Sequence, residues 1–195
     1  GTGWTEIGDG VFGSTNITSI IIPASVTSIG TFAFQNSSSL ATVTFAADSE
    51  LDVIQRQAFQ GTALTSIIIP ASVTSIGNDV FHEVTILASV TFAAGSKLTY
   101  IGNYAFRQTA ITSIIIPASV TEIGDGAFYL CASLTSVTFI ASTVSATGIT
   151  IGTNAFASTS SLASVFIKAG QVIKDSLGAA ITTTLPTTGT FFGST

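Results

Sequence analysis

Residues 17–30 read ITSIIIPASVTSIG, residues 64–77 read LTSIIIPASVTSIG and residues 111–124 read ITSIIIPASVTEIG. The spacing is 47 residues both times. A near-verbatim segment at a fixed period of this length constrains the fold strongly. Each copy is one supersecondary unit that cannot bury its own apolar face, so copies stack and share a continuous core. The expected chain is quasi-one-dimensional, and it offers a long surface rather than a cleft.

The 47-residue unit divides into half-repeats of about 23 and 24 residues. The first has the form I-T-S-I-I-I-P-A-S-V-T-S-I-G-x-x-x-F. The second reads L-x-x-V-T-F-A-A-x-S-x-L-x-x-I-x-x-x-A-F. Half-repeats begin at Ile17, Leu40, Leu64, Leu87, Ile111, Leu134 and Leu162. The one from Leu134 is swollen to 28 residues by an insertion around residues 144–150. Trp4 to Gly8 occupies the place that Val26 to Gly30 takes later, so the chain opens on a partial repeat. At the other end, PTTGTFFG from Pro186 aligns with PASVTSIG from Pro23 and reads as a degenerate last rung. The domain expectation is therefore a solenoid over 1–168, with 169–195 an atypical C-terminal rung or tail of the same domain.

The fourth and sixth positions of each half-repeat are apolar: Ile20 and Ile22, Val43 and Phe45, Ile67 and Ile69, Val90 and Phe92, Ile114 and Ile116, Val137 and Phe139, Val165 and Ile167. Alternation with β-branched residues predicts a short strand with these side chains inward. Each is worth about 1.5–3 kcal/mol when fully buried. A strand in every rung predicts one parallel sheet, with neighbours ~4.8 Å apart. Pro23, Pro70 and Pro117 should end their strands, because proline has no N–H for a ladder. The recurrent Ile-Gly pairs place an apolar side chain inward before a turn, as at Ile29-Gly30 and Ile101-Gly102. Phe34, Phe59, Phe81, Phe106, Phe128 and Phe156 should stack as a buried spine.

Only 8% of residues are charged, the net charge is −5 and the mean hydropathy is +0.66. Ser and Thr stand where charge would on an ordinary surface. No run approaches the ~18 apolar residues of a membrane span, so membrane insertion is not expected. Five scattered basic residues argue against nucleic acid as a partner. The chain has no Met and begins at Gly1 without a signal segment, which reads as a processed secreted protein or an excised piece. A single cysteine, Cys131, cannot form an internal disulfide.

The string I-P-x-S-V-T-S-I-G-x-x-A-F, with C-x-x-L-T-S-V at Cys131–Val137, resembles the BspA-type leucine-rich-repeat family, over roughly Trp4 to Ile167. The resemblance implies a β-rich leucine-rich-repeat solenoid. It also implies a cell-surface or secreted protein acting in adhesion, host attachment or aggregation. No catalytic residues and no cofactor come with it. The chain departs from the family pattern at the swollen insertion, at Gln55 in place of Gly after Ile54, and in keeping the family cysteine only at Cys131.

Enzyme chemistry finds little support in the residues. The only histidine, His82, has no second His or Cys at metal spacing and is expected as a solvated loop residue. Cys131 reads as a small buried residue. The many hydroxyls have no base to activate them. Asp9 and Asp125 occupy matching positions, but Thr31, Arg56, Asn78 and Asn103 fill that column between them. That is no carboxylate ladder for calcium, and turn capping accounts for it.

The third and fifth strand positions face outward: Ser19 and Ile21, Thr42 and Thr44, Ser66 and Ile68, Ser89 and Thr91, Ser113 and Ile115, Ser136 and Thr138, Ser164 and Phe166. A Ser/Thr row thus lies beside an alternating Ile/Thr row. Ordinary β-propensity explains part of this. A regular apolar stripe of this length also makes a contact surface for a protein or glycan partner. A flat threonine array that orders water, as in ice-binding solenoids, is a more distant reading. Asn16-Ile17-Thr18 and Asn36-Ser37-Ser38 are N-glycosylation sequons in a eukaryotic setting. LPTTG from Leu185 matches a sortase pattern, but its register with PASV favours a structural role. Finally, Trp4 and Ile7 at one end, and Leu185, Phe191 and Phe192 at the other, are candidates for head-to-tail self-assembly. The expected function is a non-enzymatic extracellular adhesive or structural surface protein, with a filament protomer as the alternative.

Overall fold

The computed structural model describes residues 3–140, 148–167, 172–175 and 177. The chain is a parallel β-solenoid, and no helix occurs among the described residues. Two kinds of strand alternate along it. The longer strands are β2 (Ser19–Ile22), β4 (Thr42–Phe45), β6 (Ser66–Ile69), β8 (Ser89–Phe92), β10 (Ser113–Ile116), β12 (Ser136–Phe139) and β14 (Ser164–Ile167). The shorter ones are β1 (Glu6–Ile7), β3 (Ser28–Ile29), β5 (Val53–Ile54), β7 (Ser75–Ile76), β9 (Tyr100–Ile101), β11 (Glu122–Ile123), β13 (Ile149–Ile151) and β15 (Ile173–Lys174).

The solenoid is as the repeat predicts, but its sheet is not single. The short strands form one continuous eight-stranded parallel sheet. Six of them end on the isoleucine of an Ile-Gly pair; β5 and β15 do not. Two-residue strands show no alternation, so their pattern reads as a turn in sequence. The long strands form a second face, divided into β2–β4, β6–β8 and β10–β12–β14.

Proline explains where that second face divides. After β4, β8 and β12 the next residue donates its N–H to the previous rung: Ala46 to Ile22 O at 2.9 Å, Ala93 to Ile69 O at 3.0 Å and Ile140 to Ile116 O at 3.1 Å. At the two missing pairings, β4 with β6 and β8 with β10, that residue is Pro70 or Pro117. Proline has no N–H to give. In this register the carbonyls of Phe45 and Phe92 therefore lack the ladder bond that Ile22, Ile69 and Ile116 receive. The next junction is an internal control: the sequence there has Lys168, and β12 pairs with β14 in full register.

The core runs the length of the solenoid. Ile29, Ile54, Ile76, Ile101 and Ile123 are fully buried on the short-strand sheet. Ile67, Ile69, Ile114, Ile116, Val137 and Phe139 are buried on the other. Phe45 and Phe92, at the divided junctions, are only half-buried. Ile20, on the first long strand, is half-buried too, and Ile167 on β14 is exposed rather than inward-covered. Both strands are the outermost of their row among the described residues, so one side of each lacks a neighbour. The phenylalanine spine is present, and it gains Phe12. From Phe12 to Phe156 successive rings stack at 5.0–5.6 Å between centroids, within 10° of parallel. Phe12 lies five residues after Ile7, as Phe34 lies after Ile29, so the partial first repeat already contained it.

Beyond the short strands each rung turns through two left-handed residues. The pairs include Phe32 and Asn36, Asp79 and Glu83, and Tyr104 and Gln108, with φ between 56° and 61°. Non-glycine residues rarely hold φ above zero. Here the neighbouring rung fixes it: Phe34 N donates to Ala58 O at 2.8 Å and Asn36 N to Gln60 O at 2.8 Å. Gln55, standing in for glycine, leaves the ladder intact, since Ile54 still pairs with Ile29 and Ile76. Its side-chain carbonyl accepts a hydrogen bond from Thr31 Oγ1 at 3.0 Å.

Candidate interaction surface

The long-strand face presents the outward residues in the expected order. Ile21, Ile68 and Ile115 are 72%, 63% and 56% exposed, and Phe166 is 57% exposed. Ser19, Thr42, Thr44, Ser66, Ser89, Thr91 and Ser113 are exposed between them, while Ser136, Thr138 and Ser164 are half-covered. Register sets the alternation: Ile21 stands beside Thr44, Ile68 beside Thr91 and Ile115 beside Thr138. None of these positions is charged. The face can therefore offer methyl groups and hydroxyls, and no ion pair.

The divided junctions add relief to this face. Between β4 and β6 lies a groove of about 590 Å³, and between β8 and β10 a second of about 580 Å³. They are equivalent sites one 47-residue unit apart. Thr44, Ser66, Ile68 and Pro70 line the first, and Thr91, Ser113, Ile115 and Pro117 the second. Each also has a serine, Ser72 or Ser119, whose buried Oγ has no hydrogen-bond partner in the protein. The equivalent Ser25 Oγ donates to Trp4 O at 2.6 Å. The grooves were not legible as sites, because they require knowing which carbonyl each proline faces.

The titratable residues are structural in their geometry. Asp9 and Asp125 cap turns, but those of the next rung: Thr31 N donates to Asp9 Oδ1 at 2.7 Å and Thr153 N to Asp125 Oδ1 at 2.6 Å. Asn78 and Asn103 do the same for Asn103 N and Asp125 N. His82 is not the solvated loop residue its sequence suggests. Its side chain is 13% exposed and lies 3.5 Å from Asp79, 3.9 Å from Glu83 and 3.3 Å from Gln108, because the left-handed turn folds it back on the next rung. No cluster of His, Cys, Asp or Glu among the described residues has the arrangement of a metal site. No helix among them is long and apolar enough to cross a membrane.

Cys131 is buried, and burial pushes its thiol above the usual value, partly offset by hydrogen bonds with Thr109 and nearby backbone. Its Sγ donates to Phe106 O at 3.0 Å. The same column holds Thr15, Ser37, Thr62, Thr109 and Thr159. Thr62, Thr109 and Thr159 cap the phenylalanine carbonyl of their own rung at 2.9, 2.9 and 2.6 Å. Ser37 Oγ, which donates to Phe12 O, makes the same bond to the preceding rung that the cysteine makes here.

At the N-terminal end Trp4 is 57% exposed and Ile7 is buried. Leu185, Phe191, Phe192 and the LPTTG segment lie outside the described residues, as does most of the swollen insertion. In the tail, Ile173 pairs with Ile149, so β15 extends the short-strand sheet. Asn16 and Asn36 are both exposed, as is Ser38, while Ser37 is buried with its hydroxyl bonded to Phe12 O.

Stacked parallel rungs with a buried phenylalanine spine define a leucine-rich-repeat type of solenoid. The profile of the BspA type leucine-rich-repeat region matches residues 5–135 and 52–177, in 6 copies, and the chain belongs to that family. Three solved structures are similar. The T. pallidum leucine-rich-repeat protein is 27% identical, with a TM-score of 0.70 over 81% of this chain and 71% of that one. A leucine-rich cell-surface protein of Faecalibacterium prausnitzii is 29% identical, with a TM-score of 0.55 over 88% and 60%. The pneumococcal vaccine antigen PcpA shares the fold at 22% identity, with a TM-score of 0.52 over 86% and 57%. The chain thus spans less than two thirds of the latter two. No curated protein matches the sequence.

Proposed function

We propose that this chain is an extracellular, non-enzymatic adhesive module that holds its partner on the long-strand face. The observation that carries the reading is the uncharged stripe of Ile21, Ile68 and Ile115, each more than half exposed on the long-strand face. A regular row of exposed isoleucines, with the methyl groups of Thr44 and Thr91 between them, suits a contact surface better than isoleucines scattered singly. The family membership and the cell-surface description of the Faecalibacterium relative support the location. Replacing all three isoleucines by aspartate tests it. Adhesion of the purified chain to cells or extracellular matrix should be lost, while circular dichroism stays that of the parent. Adhesion retained by the triple variant refutes the reading.

A second reading is head-to-tail stacking into a filament. It is favoured by the first rung, where among the described residues β1 and β2 have a partner on one side only and Trp4 is exposed. An unpaired parallel edge invites another strand. Contacts of this kind do not close on themselves, so they build fibres. Deleting residues 180–195 should then abolish any filaments seen on a grid while the repeats stay folded. A full-length chain that remains monomeric by light scattering at high concentration counts against it.

A further inference from the structure

We infer that the two grooves at Pro70 and Pro117 are subsites for one linear, uncharged polysaccharide running along the solenoid, an inference that rests on the long-strand face being the adhesive surface. Three observations point there. First, the grooves are equivalent and recur one 47-residue unit apart, which is two rungs, or ~10 Å at the usual strand spacing. A regularly repeating site suits a regularly repeating ligand, and a disaccharide unit of an extended β-linked chain has about that length. Engaging both subsites at once then strengthens binding without new contacts, because the second event is intramolecular.

Second, the lining chemistry is that of a sugar. Ser and Thr hydroxyls both donate and accept, as sugar hydroxyls do. Thr44 and Ser66 supply them in one groove, and Thr91 and Ser113 in the other. Ile68 with Pro70, and Ile115 with Pro117, form apolar walls for the C–H face of a pyranose ring. The groove size is within the range of small-ligand sites, about 300–1,000 Å³. Third, charge selects the class. The second groove has no charged residue among its lining, and the first has only Asp48. An acidic polymer finds no cation there, and a basic peptide finds no row of carboxylates.

The proline is the device that makes the subsite. Wherever the residue after a long strand has an N–H, as at Ala46 and Ala93, the rungs pair. Where it is proline they do not, and the groove lies there. The paired junctions therefore supply matched control positions within the same chain.

The test uses the full chain and three neutral polymers, mixed-linkage β-glucan, arabinoxylan and galactomannan, with alginate as an acidic control. Affinity electrophoresis measures retention. Thr65 and Thr112 are exposed groove residues whose side chains make no hydrogen bond to the protein, and Thr18 occupies the same column just before β2 and lines neither groove. The double variant Thr65→Trp with Thr112→Trp should lower affinity for a retained neutral polymer at least tenfold. Thr18→Trp should leave it unchanged, with circular dichroism the same in all. Pro70→Ala with Pro117→Ala should also weaken retention by allowing the ladder to close. Retention by alginate alone, by none of the neutral polymers, or undiminished in the double tryptophan variant overturns the inference. Failure here with cell adhesion still abolished by the isoleucine-to-aspartate variant leaves the adhesive face standing and removes only the glycan. Loss of both results removes both.

Discussion

Gly102 sits directly on the peptide of Gly77: a Cβ at Gly102 would lie 2.5 Å from the carbonyl oxygen of Gly77. The obstacle is backbone, so no rotamer relieves it. Gly102→Ala should push two rungs apart where the short-strand sheet is continuous and cost about 1–3 kcal/mol, as overpacking does. Gly95 is the contrast. A Cβ there would meet nothing within 4 Å, but the residue holds φ at +74°. Gly95→Ala should cost about 1–2 kcal/mol from backbone strain alone and leave the sheet unmoved. Urea unfolding orders the two. A Gly102→Ala variant as stable as the parent would show that the rungs are not packed this closely.

Neighbouring residues on one strand separate core from surface. Ile67 is buried and Ile68 is exposed. Ile67→Asp places an unpaired carboxylate in the core and should cost several kcal/mol, enough to unfold adjacent rungs. Ile68→Asp should leave the fold intact and change only contacts. Equal loss of circular-dichroism signal in both variants contradicts the register.

Much of this was legible in the sequence, and the reason is physical. The Ile67/Ile68 alternation has the period of a strand, and a 47-residue recurrence fixes which strand lies beside which. Each inward residue then has a neighbour of its own kind, and the phenylalanines stack for the same reason. What escaped is whatever depends on contacts between rungs. Ser75–Ile76 and Tyr100–Ile101 are too short to alternate, so a whole sheet hid inside turns. Pro70 announces a strand end by itself, but its effect on the carbonyl of Phe45 is visible only once the rungs are stacked. His82 differs from its expectation because the loop that carries it is itself a stacked, hydrogen-bonded layer rather than a segment facing water. The C-terminal aromatic residues stay outside what the structure describes.

The Asx column gives a test of that stacked layer. Asn103 accepts Asp125 N at 2.8 Å while its own N–H is capped by Asn78 at 2.9 Å. Asn103→Ala removes one acceptor and should cost about 1 kcal/mol, like the loss of a helix cap. Asn103→Asp keeps the accepting oxygen, as Asp9 and Asp125 do, and should be close to neutral. Thermal unfolding separates the two variants. If both lose the same stability, the side-chain oxygen is not what holds the next rung.

Cys131 links the core to pH. Its ordinary thiol value is 9.0, and in the folded chain burial raises it. The sign follows from which state loses its proton first. Below 9.0 both folded and unfolded chains keep the thiol protonated, and the contribution of Cys131 to stability is fully present. Above 9.0 the unfolded chain ionises first, so stability falls as pH rises toward and through the raised folded value. Tyr100 behaves alike from its own ordinary value of 10.0, through burial first and then the charge of Glu122. The interval from 9.0 to 10.0 therefore reports mainly on the cysteine. Cys131→Ser keeps a donor toward Phe106 O, as Ser37 does toward Phe12 O, and should fold normally. Its urea midpoint should lose the decline across that interval. A thiol reagent such as Ellman's should react with the parent only as it unfolds. Rapid labelling of the native chain, or an unchanged alkaline slope in Cys131→Ser, would mean that the cysteine is not held in the core as described.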